Sequence, residues 1–179
     1  MQPRADQIPE GGRVSTNPDT ARPVEALVLR NFAGHFATGV AVLTTCDAAG
    51  RPFGLTMNAI SCVCLEPPLF LACVDRKSTT LAPLMESGIF ALNILALGQD
   101  KISNTFASKG NDKFASVATE TGQLGVPLIA GALASAEFRV RQTVEAGDHV
   151  IVIGEAVATM TSEAAPLMYY RGKFGVLGT

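Results

Sequence analysis

Phe138-Arg139-Val140-Arg141-Gln142-Thr143-Val144-Glu145-Ala146-Gly147-Asp148-His149-Val150-Ile151-Val152-Ile153 is the stretch on which the fold turns. In its first half Phe138, Val140, Gln142 and Val144 alternate with Arg139, Arg141, Thr143 and Glu145, the period-two pattern of a half-buried, edge-type strand. The chain turns at Gly147-Asp148 and returns through Val150, Ile151, Val152 and Ile153 with no alternation. A strand of that kind, here His149 to Met160, expects cover on both faces. In a small barrel, cover on both faces points to a second subunit packed against the strand.

Upstream, short strands and turns follow closely on one another. Val40 to Cys46, the turn Asp47 to Pro52, and Phe53 to Asn58 read as a hairpin. Ala59 to Leu65 continues as a strand up to Pro67-Pro68, and Leu69 to Val74 forms another. Ser78 to Met85 and Gln99 to Ser108 read as helices flanking a strand over Gly88 to Leu95. Lys109 to Gly131, with four glycines and a proline, reads as an irregular crossover. Val24, Val28, Phe32 and Phe36 fall four apart after Pro23, which predicts a first helix ending near Gly39. Residues 1–23 are rich in Pro and Gly and nearly free of apolar side chains, so they are expected to form a flexible tail before a single domain over 24–179. The pattern predicts a mainly β chain with peripheral helices, a β-barrel rather than a doubly wound sheet.

Composition narrows the function. The chain has 179 residues, 47% of them hydrophobic and only 17% charged, against about 25% in an ordinary soluble domain. A surface short of charge is expected to include a buried subunit interface. The net charge of −2 and the absence of like-charge blocks give no attraction for nucleic acid or for anionic membrane surfaces. No apolar run reaches the ~20 residues of a bilayer crossing, and Met1 to Asp6 holds no secretory leader, so a cytoplasmic location is expected. Cys46, Cys62, Cys64 and Cys73 all lie in apolar runs, which predicts reduced, buried thiols.

Several fingerprints are missing: no G-x-G-x-x-G, no phosphate loop, no H-E-x-x-H and no G-x-S-x-G. Two histidines, His35 and His149, and a Cys62-x-Cys64 spacing do not make a metal site, so none is expected. What remains is a set of polar stretches, each with two readings. Thr56-Met57-Asn58-Ala59-Ile60-Ser61 offers backbone and short polar groups to a flat ligand, or is a bulge that satisfies itself. Arg76-Lys77-Ser78-Thr79-Thr80 is an anion site at a helix start, or an ordinary N-cap with solvated charges. His149 either stands at the rim of a cavity, where it would orient a substrate, or is a solvated turn residue. Tyr169 to Gly175 joins two tyrosines and two cations, suited to stacking and phosphate pairing, or forms a terminal edge strand.

Taken in order, Phe36-Ala37-Thr38-Gly39-Val40, Gly54 to Ser61, Glu66-Pro67-Pro68-Leu69, Asn93-Ile94-Leu95, Asp112-Lys113-Phe114, Gly147-Asp148-His149 and Tyr170-Arg171-Gly172 resemble the short-chain flavin reductases. These are reductase components of two-component flavin-dependent monooxygenases. The resemblance runs from about Leu29 to the C-terminus and implies a homodimeric FMN-binding split barrel. It implies an NAD(P)H:flavin oxidoreductase in which hydride passes from NADH or NADPH to FMN or FAD, and reduced flavin leaves for a monooxygenase partner. Two other activities fit the same fold: a protein with tightly held flavin that reduces a ferric complex or a quinone, and a non-catalytic flavin or haem binder.

Carried across motif by motif, the resemblance assigns Thr38 and Gly39 to flavin contact, and Thr56, Met57, Asn58, Ala59 and Ser61 to the ring and ribityl chain. Asp75, Lys77, Ser78 and Thr79 would surround the ribityl phosphate. Asn93 and Gln99 would close the pocket, with Phe106 and Lys113 on its crossover side. His149, Arg171 and Phe174 would form the nicotinamide side, His149 positioning the hydride donor. Many relatives carry serines where this chain has Cys62 and Cys64.

Overall fold

The computed structural model describes residues 22–110 and 112–178. The expected tail falls outside the described residues except for Arg22 and Pro23. Helix α1 (Ala26–Gly34) is shorter than the expected run to Gly39. Thr38–Gly39 (β1) leave it to pair with Met168–Tyr170 (β11), Thr38 opposite Tyr169 and Gly39 opposite Met168. Lys173–Gly175 (β12) completes that small sheet.

The main sheet is built from β2 (Ala41–Cys46), β3 (Pro52–Met57), β4 (Ile60–Cys64), β5 (Leu69–Asp75), β6 (Ile89–Ile94), β9 (Ala134–Ala146) and β10 (His149–Thr161). It is antiparallel throughout, in the order β3-β2-β6-β9-β10-β5-β4. Strands β3 and β4 follow one another in the chain yet occupy opposite edges. Only Asn58 and Ala59 join them, and three Cα–Cα steps of ~3.8 Å reach at most ~11 Å. The sheet must therefore curl until its edges approach, while no ladder connects β3 to β4 among the described residues. The result is a split barrel.

Its interior is apolar. Phe90 and Phe138 stack with centroids 4.9 Å apart against Gly154, where a Cβ would fall 2.7 Å from the Phe90 ring. Leu43, Leu84 and Val152 pack in the same buried cluster, each contributing on the order of 1.5–3 kcal/mol by burial. A second cluster, with Val42, Leu95, Phe106, Ile129 and Leu167, lies beneath α3 (Asp100–Ala107). Gly54 is needed there, because a Cβ would sit 2.7 Å from the Phe106 ring.

Sequence and structure also part in the crossover, along β9 and β10, and at the cysteines. The crossover carries a short hairpin, β7 (Thr119–Thr121) and β8 (Pro127–Ile129). Buried Glu137 holds its turn by accepting the N–H of Gln123 at 2.8 Å and of Leu124 at 2.6 Å. Strand β10 is covered on one face only: Val150, Val152 and Gly154 are buried, whereas Ile151 and Ile153 are half-buried. Gln142 and Val144 are exposed because β6 stops pairing with β9 at Arg139, leaving residues beyond it at an edge. The cysteines are not buried as expected: Cys62 is exposed and the other three are intermediate. No helix among the described residues is long and apolar enough to cross a membrane.

Candidate functional site

The β5–β10 ladder ends at Asp75 opposite His149. Beyond it the chain turns sharply. The Asp75 carboxylate accepts the Lys77 N–H at 2.8 Å, the Asp75 carbonyl accepts the Ser78 N–H at 2.9 Å, and the Ser78 hydroxyl accepts the Thr80 N–H at 3.2 Å. Arg76 N–H donates to Asp148 O at 3.0 Å, fastening this loop to the β9–β10 turn. Helix α2 (Leu81–Ser87) begins three residues later than expected, so Ser78 and Thr79 lie in a turn ahead of it. Arg76 is paired with Glu145 at 2.9 Å, while exposed Lys77 forms no ion pair among the described residues.

His149 Nδ1 lies 2.8 Å from Asp148 Oδ1. A carboxylate can only accept, so Nδ1 carries the proton and Nε2 is left for a ligand. The hydrogen bond and the charge of His149 hold the Asp148 carboxyl below the usual carboxylate range. Asp148 escaped the sequence reading as a partner of His149, although the Gly147-Asp148-His149 turn placed the two side by side.

The β3–β4 link lies beside this loop, since Ala59 O accepts the N–H of Cys73, two residues before Asp75. Asn58, Ala59 and Ser61 are exposed. Asn58 Nδ2 donates to Thr38 Oγ1 at 3.2 Å, which joins the link to β1 and, through Tyr169, to the C-terminal hairpin. There Tyr169 and Phe174 pack at 5.7 Å, and Arg171, with a φ of 46°, donates its N–H to Gly34 O at 3.1 Å. His35 is bonded through Nδ1 to Asn31 O.

A family model described as a flavin reductase like domain matches residues 33–178. The chain belongs to that family. It is 41% identical over 155 residues to a protein named probable flavin reductase from Rhizobium meliloti (strain 1021), covering 87% of this chain but only half of that relative. It is 40% identical to the reductase component of 4-nitrophenol 4-monooxygenase/4-nitrocatechol 2-monooxygenase from Rhodococcus opacus, covering 86% of this chain and 82% of the relative. Among solved structures, the Streptomyces globisporus C-1027 NADH:FAD oxidoreductase in complex with NAD and FAD fragments superposes with a TM-score of 0.82 at 33% identity, over 88% of this chain and 98% of that one.

In this flavin reductase-like chain the assigned residues divide into two groups. Thr38, Gly39, Asn58, Ala59, Ser61, Lys77, Ser78, Thr79, His149, Arg171 and Phe174 are exposed or half-buried. The others are committed to the protein. Asn93 is fully buried, donating to Val42 O and Thr44 Oγ1 and accepting from Ile129 N–H and Ser135 Oγ, so it has no free hydrogen-bonding group with which to close a pocket. Gln99 binds Ala96 N–H and Ala130 O. Phe106 is core, Met57 points into the barrel, and Thr56 Oγ1 donates to Ser103 O at 2.6 Å. Lys113 Nζ donates to Gly54 O and Phe106 O, and desolvation pushes its pKa down. Asp75 spends its carboxylate on its own turn. These residues shape the wall from behind, and Met57 can meet a ligand only through its backbone.

Proposed function

We propose that this chain is an NAD(P)H:flavin oxidoreductase, working as a cytoplasmic homodimer, that supplies reduced flavin to a separate monooxygenase. The observation that carries this reading is the meeting of His149 with the Asp75–Thr79 loop beside the short-side-chain surface of Asn58, Ala59 and Ser61. A Cβ on Gly39 would meet nothing within 4 Å, so the surface near Thr38 is open as well. Small residues there leave room for a flat ring, Ser61 and Asn58 offer polar groups at its edge, and Lys77, Ser78 and Thr79 form a cationic, hydroxyl-rich corner suited to a phosphate. A flavin supplies a ring that accepts hydride and passes electrons onward.

The chain's own work is orientation. Asp148 holds His149 Nδ1 as a donor, and Nε2 hydrogen-bonds a polar group of the nicotinamide. Arg171 and Phe174 flank that side with a cation and a ring. Proper alignment of two reactants contributes up to ~7–11 kcal/mol to barrier lowering. The name of the Rhodococcus opacus relative as a reductase component supports a partner oxygenase.

The dimer rests on a row of uncovered apolar side chains. Val144, Ile151 and Cys73 are ladder partners, and the neighbouring row on the same face runs Ile153, Leu71, Ser61. A second copy laid on this face would border Ser61 and complete one wall of the groove. The test is oxidation of NADH and NADPH by the purified chain with and without added FMN or FAD: a need for added flavin supports the reading, turnover by flavin retained through purification favours a tightly held cofactor, and no oxidation under any condition defeats both.

A further inference from the structure

Strand β4 has a second face, opposite the one that carries Ser61. Cys62 stands in the ladder across from Phe70, which is paired with Gly154, on the barrel's inner side. A cavity of about 290 Å³ opens there, walled by Ile60, Leu65, Phe70, Phe138 and Met160 together with Cys62 and Cys64. The register slips between Cys62 and Cys64, with Val63 as the extra residue, and both thiols line the same cavity.

No lining side chain is charged. The Ser135 hydroxyl at its wall is already bonded to Asn93 Oδ1 at 2.9 Å. A charged guest would lose its hydration here with no opposite charge to compensate it, whereas a neutral ring would lose little. The volume lies near the ~300 Å³ lower end of small-molecule sites, enough for a single ring.

The two thiols are the cavity's strongest nucleophiles, ahead of the hydroxyls of Ser135, Thr159 and Thr161, and neither is in a disulfide. Cys64 Sγ is held by Pro67 O at 3.0 Å, while Cys62 is exposed and its Sγ has only a long 4.0 Å contact to Cys64 O. The other two cysteines are poorer competitors: desolvation pushes the thiols of Cys46 and Cys73 up, with the Asp47 charge adding to the effect on Cys46, and the thiolate is the reactive form.

We infer that this cavity binds neutral, single-ring Michael acceptors of the quinone class and that Cys62 captures them covalently. The Cys62 thiolate forms an S–C bond at the activated alkene carbon. The alkene π pair shifts into the bond to the carbonyl carbon as the carbonyl π pair moves onto oxygen, and the proton lost by the thiol returns to the resulting enolate, so no oxidant is consumed. The inference is independent of the flavin chemistry proposed above.

The test compares N-phenylmaleimide with N-carboxymethylmaleimide, identical electrophiles differing in the group the cavity must accept. Rates at each cysteine of the full chain are read by peptide mass spectrometry, with glutathione as the open-solution reference. Cys62 is expected to react first, preferring the phenyl reagent at least ~tenfold more than glutathione does, equivalent to about 1.4 kcal/mol. Met160→Lys, at a half-exposed rim position, should bring that preference down to the glutathione value without lowering the melting temperature. Even labelling of the four cysteines, an unreactive Cys62, a preference no larger than glutathione's, or a preference untouched by Met160→Lys would each overturn the inference.

Discussion

His149 stands directly across the β5–β10 ladder from Asp75, so the first residue of one strand and the last of the other share one end of the barrel. Two turns meet there, tied by the Arg76 N–H to Asp148 O bond. One brings an imidazole and the other a cation with two hydroxyls, and the strand ladder sets their spacing rather than either loop alone.

If His149 positions the hydride donor, His149→Ala should raise KM for NADH or NADPH roughly three- to tenfold, the scale of one lost hydrogen bond. Flavin affinity should stay nearly unchanged. Steady-state kinetics together with a flavin fluorescence titration separate the two. A collapse of flavin affinity with an unmoved nicotinamide KM would place His149 on the wrong side of the groove.

Lys77 faces the phosphate in this account and forms no ion pair among the described residues. Lys77→Ala is expected to weaken FMN binding several-fold while leaving riboflavin, which lacks the phosphate, unaffected. The difference should shrink as salt is raised, because the Debye length is only ~10 Å at 0.1 M. Equal loss for both flavins would mean that Lys77 acts on structure.

Ile151→Arg puts a charge in the middle of the uncovered apolar row. Size-exclusion chromatography with light scattering should report a shift from dimer to monomer, accompanied by weaker flavin binding. A wild-type chain that is already monomeric at working concentration would contradict the dimer.

Asp47 gives a stability prediction with a definite sign. Burial alone would raise its pKa, but hydrogen bonds from Arg51 and Ala49 and the Arg51 charge outweigh burial and hold the carboxyl below the usual carboxylate range. A carboxyl with a lowered folded-state pKa stabilises above its unfolded value, about 3.9, and loses that contribution as pH falls through the folded value. The wild type should therefore melt above Asp47→Asn at pH 7, and the gap should close as pH drops below about 4. A gap that is constant with pH would assign the effect to something other than ionisation.

The strands were readable because period-two patterning and turn residues are local signals, and the Phe138–Ile153 hairpin forms where its pattern says it should. What escaped depends on remote partners. Phe36 continues the helical spacing of Phe32, yet the segment beyond His35 is claimed by Tyr169 and Met168 from the far end of the chain. The family resemblance makes Asn93 a pocket residue, and only its contacts with Val42, Thr44, Ile129 and Ser135 reveal a buried amide holding strands together. The missing alternation over Val150 to Ile153 read as cover on both faces, yet within the chain the Ile151 and Ile153 face is only half-buried.

The central claim is that this chain moves hydride from a nicotinamide to a flavin that then departs. The direct measurement is anaerobic NADH oxidation by flavin-free protein, followed at increasing FAD or FMN, with ultrafiltration to locate the reduced flavin. The account predicts negligible oxidation without flavin, a saturable rise with it, and reduced flavin in the filtrate. Absence of NADH and NADPH oxidation at saturating flavin would contradict it.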